Sequence, residues 1–195
     1  MSVARDSVPY MRFRTLIDLV TREVWRRRVR SEIESLARRG AVIVDTETTD
    51  FEGLAVEVAV VDLASGDVLI ESLIEPAGAL ITASASAVHG LSDHDVAGAP
   101  AFAELAPRLR AVLRGRPVIA YNAGFDREVL ARHARAVGVA PVADDDQWWC
   151  AMRARSSFNG ERRWRKLDGG HRAVNDCMAT RELLRTMRSR SSRVV

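Results

Sequence analysis

Cysteine is scarce in this chain, with two residues, Cys150 and Cys177, among 195. Two cannot build a disulfide framework, and neither has the spacing or company of a zinc site, so both read as small buried hydrophobes. No apolar run approaches the roughly 18 residues that a membrane-spanning helix needs. The opening MSVARDSVPY lacks the hydrophobic segment of a signal peptide. No membrane association and a cytoplasmic location are therefore expected. Lysine is nearly missing, because Lys166 is the single lysine among 29 basic residues. Positive charge is thus carried by guanidinium forks, which match phosphate geometry better than an ammonium does, although Arg-rich codon usage produces the same bias. No internal repeat or linker interrupts the chain, and its length bounds it to one domain with an appendage.

The 29 basic and 26 acidic residues nearly cancel, leaving +3, but they are segregated. Residues 1–40 carry +5, residues 41–149 carry −10 and residues 150–195 carry +8. An acidic centre between basic ends suits a protein that gathers cations in the middle and grips a polyanion with its flanks.

The acidic centre opens with AVIVDTETTD, residues 41–50. Ala41, Val42, Ile43 and Val44 read as a strand buried on both faces. Strand side chains alternate, so Asp45 and Glu47 point to one side. Two like charges losing hydration together either raise a pKa or require a cation between them. Alone, DxE is frequent by chance and equally suits a solvated turn, so the rest of the chain decides.

Before it, Tyr10 to Arg39 carries Phe13, Leu16, Ile17, Val20, Val24, Ile33 and Leu36 near helical spacing, stopped by Gly40, and predicts one long helix or two shorter ones. After it, Leu54 to Leu63 and Val68 to Ile74 predict a hairpin antiparallel to the first strand. Glu75 to Gly98, rich in Ala, Ser and Gly, predicts a loop outside the core. A helix from Pro100 to Leu113, kinked at Pro107, precedes a buried strand at 117–121 and a helix from Phe125 to Val137. The helical crossover favours parallel pairing of Ala41–Val44 with Val118–Tyr121. Residues 143–167 resist assignment. Trp148, Trp149 and the run Arg162-Arg163-Trp164-Arg165-Lys166 suit base stacking with phosphate pairing, or equally an aromatic core beside a basic loop. A last helix runs from Ala173 to Met187, followed by a tail of disordered composition.

Three motifs stand in order: DTETTD at 45–50, YNAGFD at 121–126 and HRAVND at 171–176. The parallel pairing sets Asp126 just past the carboxyl end of the strand beside Asp45, where ligands of open α/β sheets collect. Singly, Asp126 suits a helix N-terminus and His171 a cap. Together the motifs resemble the DEDDh family of 3′–5′ exonucleases, which includes proofreading subunits, ribonuclease T and oligoribonuclease, over roughly Ala41 to Met187. The resemblance implies an α/β, ribonuclease H-like mixed five-stranded sheet flanked by helices. Residues 1–40 then form a basic helical extension, residues 41–188 the exonuclease domain and residues 189–195 the tail. It implies two divalent ions, Mg²⁺ or Mn²⁺, held by Asp45, Glu47, Asp126 and Asp176, with His171 as general base. It further implies a terminal-nucleotide pocket containing Thr48, His89, Leu91, Asn122 and Phe125. Asp50 stands where the family often has Gly, and Tyr121 where it often has His.

In that chemistry one ion acidifies the attacking water and the other stabilises the leaving 3′ oxygen. Carboxylate oxygens suit such hard cations, and imidazole as a class titrates close enough to neutrality to take the proton. Gly169 and Gly170 predict a flexible loop carrying His171. The expected function is hydrolysis of single-stranded DNA or RNA from its 3′ end to nucleoside 5′-monophosphates. The implied partners are single-stranded nucleic acid 3′ ends, with a DNA polymerase subunit and a second copy of the chain as protein candidates that the motifs do not select. The alternative is a binding module with a degenerate exonuclease fold that grips nucleic acid or a polymerase without cutting. The presence of all five motif residues argues against it.

Overall fold

The computed structural model describes residues 8–161 and 163–189, with side chains from residue 20 onward. Five strands form one sheet in the order β3-β2-β1-β4-β5. They are β1 (Val42–Thr48), β2 (Ala55–Asp62), β3 (Val68–Leu73), β4 (Val118–Ala120) and β5 (Trp148–Cys150). The hairpin pairs are antiparallel, whereas β4 and β5 run parallel to β1, so the sheet is mixed. The parallel pairing expected from the crossover is found, with Val42 opposite Val118 and Ile43 opposite Ile119.

Helices cover both faces, which is why β1 reads as a continuous apolar run. On one face Val42, Val44, Val58 and Val60 are buried under α4 (Phe102–Leu113) and α5 (Ala123–Ala136). On the other, Ile43, Ala59 and Val61 are buried under α1 (Val8–Arg38), α6 (Ala151–Asn159) and α7 (Ala173–Ser189). Each fully buried aliphatic side chain contributes about 1.5–3 kcal/mol by leaving water. The alternation has a functional consequence, because Asp45 and Glu47 continue the Ile43 face toward α7 while Thr46 continues the Val44 face toward α5.

Several expectations are corrected. Residues 75–98 hold two short helices, α2 (Ala83–His89) and α3 (Asp93–Val96), and Leu91 and Val96 form a satellite core with Val56. Small residues hid that packing, since the helices present few large apolar side chains. α4 begins at Phe102, two residues after the expected Pro100, where the Glu104 carboxylate accepts from the Ala101 N–H at 3.2 Å, and Pro107 lies inside it. Among the described side chains of α1, Val29, Ile33 and Leu36 are buried against the sheet, while Val20 and Val24 are 58% and 59% exposed. The unassigned stretch supplies the edge strand β5 and α6. Ser189 closes α7, and the rest of the expected tail lies outside the described residues, as do Arg162 and the side chains of Phe13, Leu16 and Ile17. Among the described residues no helix is long and apolar enough to cross a membrane.

Candidate active site

β1 delivers Asp45 and Glu47 to the floor of a cavity of about 390 Å³, and α7 lays Asp176 beside them. One oxygen from each of Asp45, Glu47 and Asp176 lies within 4.8 Å of the others. α7 is pressed onto the sheet one residue later, where the buried Cys177 thiol sits 3.6 Å from the Ile43 carbonyl oxygen and 3.7 Å from that of Ala59. Cys177 is therefore the small buried side chain expected of it, and its size sets how closely Asp176 approaches β1.

Asp126 enters from the opposite face. It sits in the first turn of α5, is buried, and its Oδ1 accepts from the Thr46 N–H at 3.0 Å and the Thr46 hydroxyl at 2.9 Å. It lines the same cavity but stands outside the compact group of three. Thr46 thus spends one Asp126 oxygen and leaves Oδ2 as the available ligand atom. Three of the four expected metal ligands come together directly, and the fourth reaches the cavity around the end of β4.

The charges are poorly tolerated without a cation. Burial first, then Asp176, Glu57 and Asp126, push Glu47 up to about 8, with Arg172 opposing. Burial, against the Thr46 hydrogen bonds, brings Asp126 to about 7. Burial and the neighbouring Asp126 carboxylate raise Asp45 well above the ordinary range, and burial raises Asp176 against the nearby His171. The Oδ1 atom of Asp176 is buried with no hydrogen-bond partner. A buried carboxylate oxygen without a donor, beside two more carboxylates, fits a hard divalent cation.

These shifts set a sign. Glu47 and Asp126 keep their protons in the folded chain at pH values where the unfolded chain has lost them, so folding binds protons and stability falls as pH rises from about 4 to about 8. In EDTA the melting temperature is expected to drop by at least about 5 °C between pH 5 and pH 8, and Mg²⁺ or Mn²⁺ is expected to restore it most at the alkaline end. A flat profile in EDTA, read by thermal denaturation, contradicts the cation site.

A fifth carboxylate escaped the motif reading. Glu57 lies opposite Glu47 in the β1–β2 register, is 1% exposed, and faces α7. The Arg172 guanidinium grips it through Nε and Nη2 at 2.7–3.1 Å, and the Ala173 N–H donates to it at 3.0 Å. Glu57 therefore fixes the start of α7, between His171 and Asp176. Its signal was a lone charge inside the apolar strand LAVEVAVVDL. Arg172→Ala is expected to cost about 3 kcal/mol by stranding a buried charge, and adding Glu57→Gln to recover over half of it, both read by metal-free denaturation.

Gly169, expected to lend the His171 loop its freedom, meets a closer constraint. A Cβ there would come within 1.6 Å of Asp176 Oδ1, so close approach to the Asp176 carboxylate requires glycine at the first position of the pair. Gly170 has φ 88° and His171 φ 55°, a left-handed turn that only the second glycine enters without strain. His171 lines the cavity at the end of this turn.

Of the expected nucleotide pocket, Thr48, His89, Asn122 and Phe125 line the cavity. Leu91 does not line it and is buried in the satellite core. His89 is buried, and its Nδ1 accepts from the Leu91 N–H at 3.0 Å, which leaves Nε2 as the donor to the Thr48 carbonyl at 3.1 Å. It ties the α2 segment to the end of β1. Phe51, 78% exposed, lies 6.0 Å from Phe125 across the mouth. Tyr121 donates its hydroxyl to the Arg165 carbonyl and accepts from Arg155 at 3.0 Å, holding down the loop that closes one side.

A mixed sheet with acidic side chains gathered at the carboxyl end of its central strand is a ribonuclease H-like arrangement. The chain belongs to the exonuclease family, whose model, described as Exonuclease (RNase_T), matches residues 42–184. Exodeoxyribonuclease 10 of Escherichia coli (strain K12) is 30% identical over 159 residues, which cover 73% of this chain and 66% of that protein. "Uncharacterized exonuclease CP81" of Escherichia phage 186 is 26% identical over 163 residues, 71% of this chain and 83% of that one. A DNA polymerase III subunit epsilon-like protein of Rhodobacter capsulatus is 35% identical over 105 residues, 50% of this chain but only 15% of the relative's length. Among solved structures, Exonuclease X in complex with 5′ overhanging duplex DNA superposes with a TM-score of 0.53 at 25% identity, covering 75% of this chain and 90% of that one. The nuclease domain of 3′hExo, a DEDDh family member bound to rAMP, gives 0.59 at 12% identity over 75% and 90%, a likeness of fold. α1 precedes the matched family region.

Proposed function

We propose that the chain is a divalent-metal-dependent 3′–5′ exonuclease that releases nucleoside 5′-monophosphates from single-stranded nucleic acid. The observation that carries this reading is the meeting of Asp45, Glu47 and Asp176 within 4.8 Å, in a cavity that also holds Asp126 and His171. Asp45, Glu47, Asp176 and Oδ2 of Asp126 would hold two ions, Mg²⁺ or Mn²⁺, whose positive charge acidifies water and stabilises negative charge on the phosphate and the leaving oxygen.

The chain's own side chains supply the rest. Phe125 and Phe51 form an apolar wall against which a terminal base packs, and Asn122 offers a polar group at the cavity's edge. An imidazole nitrogen of His171 takes a proton from the attacking water as the P–O3′ bond breaks, leaving the phosphate on the released nucleotide and a 3′ hydroxyl on the shortened strand. Thr46 keeps Asp126 oriented throughout. The names of exodeoxyribonuclease 10 and of the DNA-bound Exonuclease X favour DNA as the substrate. A matched series of linear DNA, linear RNA and circular single-stranded DNA tests the reading. Linear DNA is expected to yield 5′-mononucleotides while the circle stays intact, and nicking of the circle would make the protein an endonuclease.

A further inference from the structure

All four tryptophans of the chain, Trp25, Trp148, Trp149 and Trp164, line one cleft. It measures about 700 Å³, nearly twice the catalytic cavity, and the two share Asn122, so one opens where the other ends. Its walls come from three places: α1 through Trp25 and Arg28, the start of α5 through Arg127, and the β5–α6 turn through Trp148, Trp149 and Arg153. The 163–167 loop, pinned by Tyr121, adds Trp164.

Aromatic surface here is left open. Trp25 is 42% exposed and Trp164 is 67% exposed, between Arg163 and Arg165. The indole Nε1 of Trp148 is enclosed with no hydrogen-bond partner. The acids in the cleft are already matched, Glu32 by Arg28 at 3.0 Å and Asp145 by Arg127 at 3.7 Å, whereas Arg153 makes no ion pair among the described residues. Arg28 also lies 5.3 Å over the Trp25 ring. Flat aromatic faces beside surplus guanidinium charge suit unpaired bases on a phosphate backbone, since every base offers a face to stack on. Trp25 and Arg28 belong to α1, so this wall is built outside the segment shared with the family.

We propose that the tryptophan cleft is a second nucleic-acid site, which takes the unpaired nucleotides lying 5′ of the terminal one held in the catalytic cavity. The proposal rests on the exonuclease reading. A strand whose end lies over Asp45 leaves past Asn122 into the cleft, where its bases stack on Trp25 and the β5 tryptophans and Arg153 meets a phosphate. Basic α1 thereby becomes a clamp on the strand.

Two substrates separate the site from the chemistry. The p-nitrophenyl ester of thymidine 5′-monophosphate fills only the catalytic cavity, whereas an unpaired dodecamer spans both. Trp25→Ala and the pair Trp25→Ala/Arg153→Ala, both exposed positions, are expected to raise KM for the dodecamer about tenfold and more than tenfold, with ester hydrolysis within about twofold of wild type. With calcium and a phosphorothioate-capped dodecamer, intrinsic tryptophan fluorescence is expected to be quenched, and thymidine monophosphate is expected to leave it unchanged. An unchanged dodecamer KM, quenching by the mononucleotide alone, or quenching by a peptide but not by the dodecamer overturns the site. Wild-type protein that cleaves neither substrate would overturn the exonuclease reading instead, and the fluorescence titration would still report the cleft.

Discussion

Replacing Asp45 with asparagine is expected to lower phosphodiester cleavage at least about a thousandfold, equivalent to roughly 4 kcal/mol of lost transition-state stabilisation. The same substitution is expected to raise the melting temperature of the metal-free chain at alkaline pH by about 2–4 °C per kcal/mol of relieved repulsion, because burial and the Asp126 carboxylate disfavour the charged form of Asp45, which an amide cannot adopt. Asp176→Asn behaves alike. Asp126 separates ligand from scaffold, since its Oδ1 satisfies the buried Thr46 N–H. Asp126→Asn keeps that acceptor and is expected to lose activity without losing stability, whereas Asp126→Ala strands a buried donor and costs about 1–3 kcal/mol as well. Steady-state cleavage and denaturation in EDTA check both columns. A variant retaining more than about a tenth of wild-type activity removes that residue from the ligand set.

His171→Ala is expected to lower turnover by roughly two to four orders of magnitude while leaving ion affinity nearly untouched. His171 stands in the cavity beside Asp176, but the compact oxygen cluster forms without it. Its backbone occupies a left-handed conformation next to Gly170, so this turn sets where the imidazole enters the cavity. Partial rescue at high pH is expected, where hydroxide needs no base. Calorimetric titration of Mn²⁺ into the variant near pH 8 checks the claim, and loss of binding would make His171 a ligand and require another base.

The central strand and its chemistry were legible in the sequence because both are local. A buried strand must be apolar on both faces, and alternation puts Asp45 and Glu47 on one of them whatever surrounds them. The parallel neighbour followed from a short buried strand and a helix, and it placed Asp126 at the right end of the sheet. It could not show that Asp126 arrives from the other face, because that depends on the Thr46 N–H and hydroxyl donating to it. Glu57 was hidden because its partner, Arg172, is 115 residues away. Gly169 suggested freedom from its own sequence and proved to be clearance for Asp176. Leu91 entered the expected pocket through the family resemblance, yet it packs against Val56 and Val96 in the satellite core. β5 and the tryptophan cleft were unreadable for a related reason. WWC is too short to show a period, and a cleft assembled from α1, β5 and a distant loop exists only after the chain folds.

The most direct measurement is the fate of a single-stranded oligonucleotide labelled at its 5′ end in one tube and at its 3′ end in another, with wild-type protein and Mg²⁺ or Mn²⁺. The expected result is a descending ladder from the 5′ label, immediate release of a labelled 5′-mononucleotide from the 3′ label, and no cleavage in EDTA or with Asp45→Asn. An oligonucleotide that binds but is never shortened under either ion, or a mononucleotide released first from the 5′ end, would contradict it.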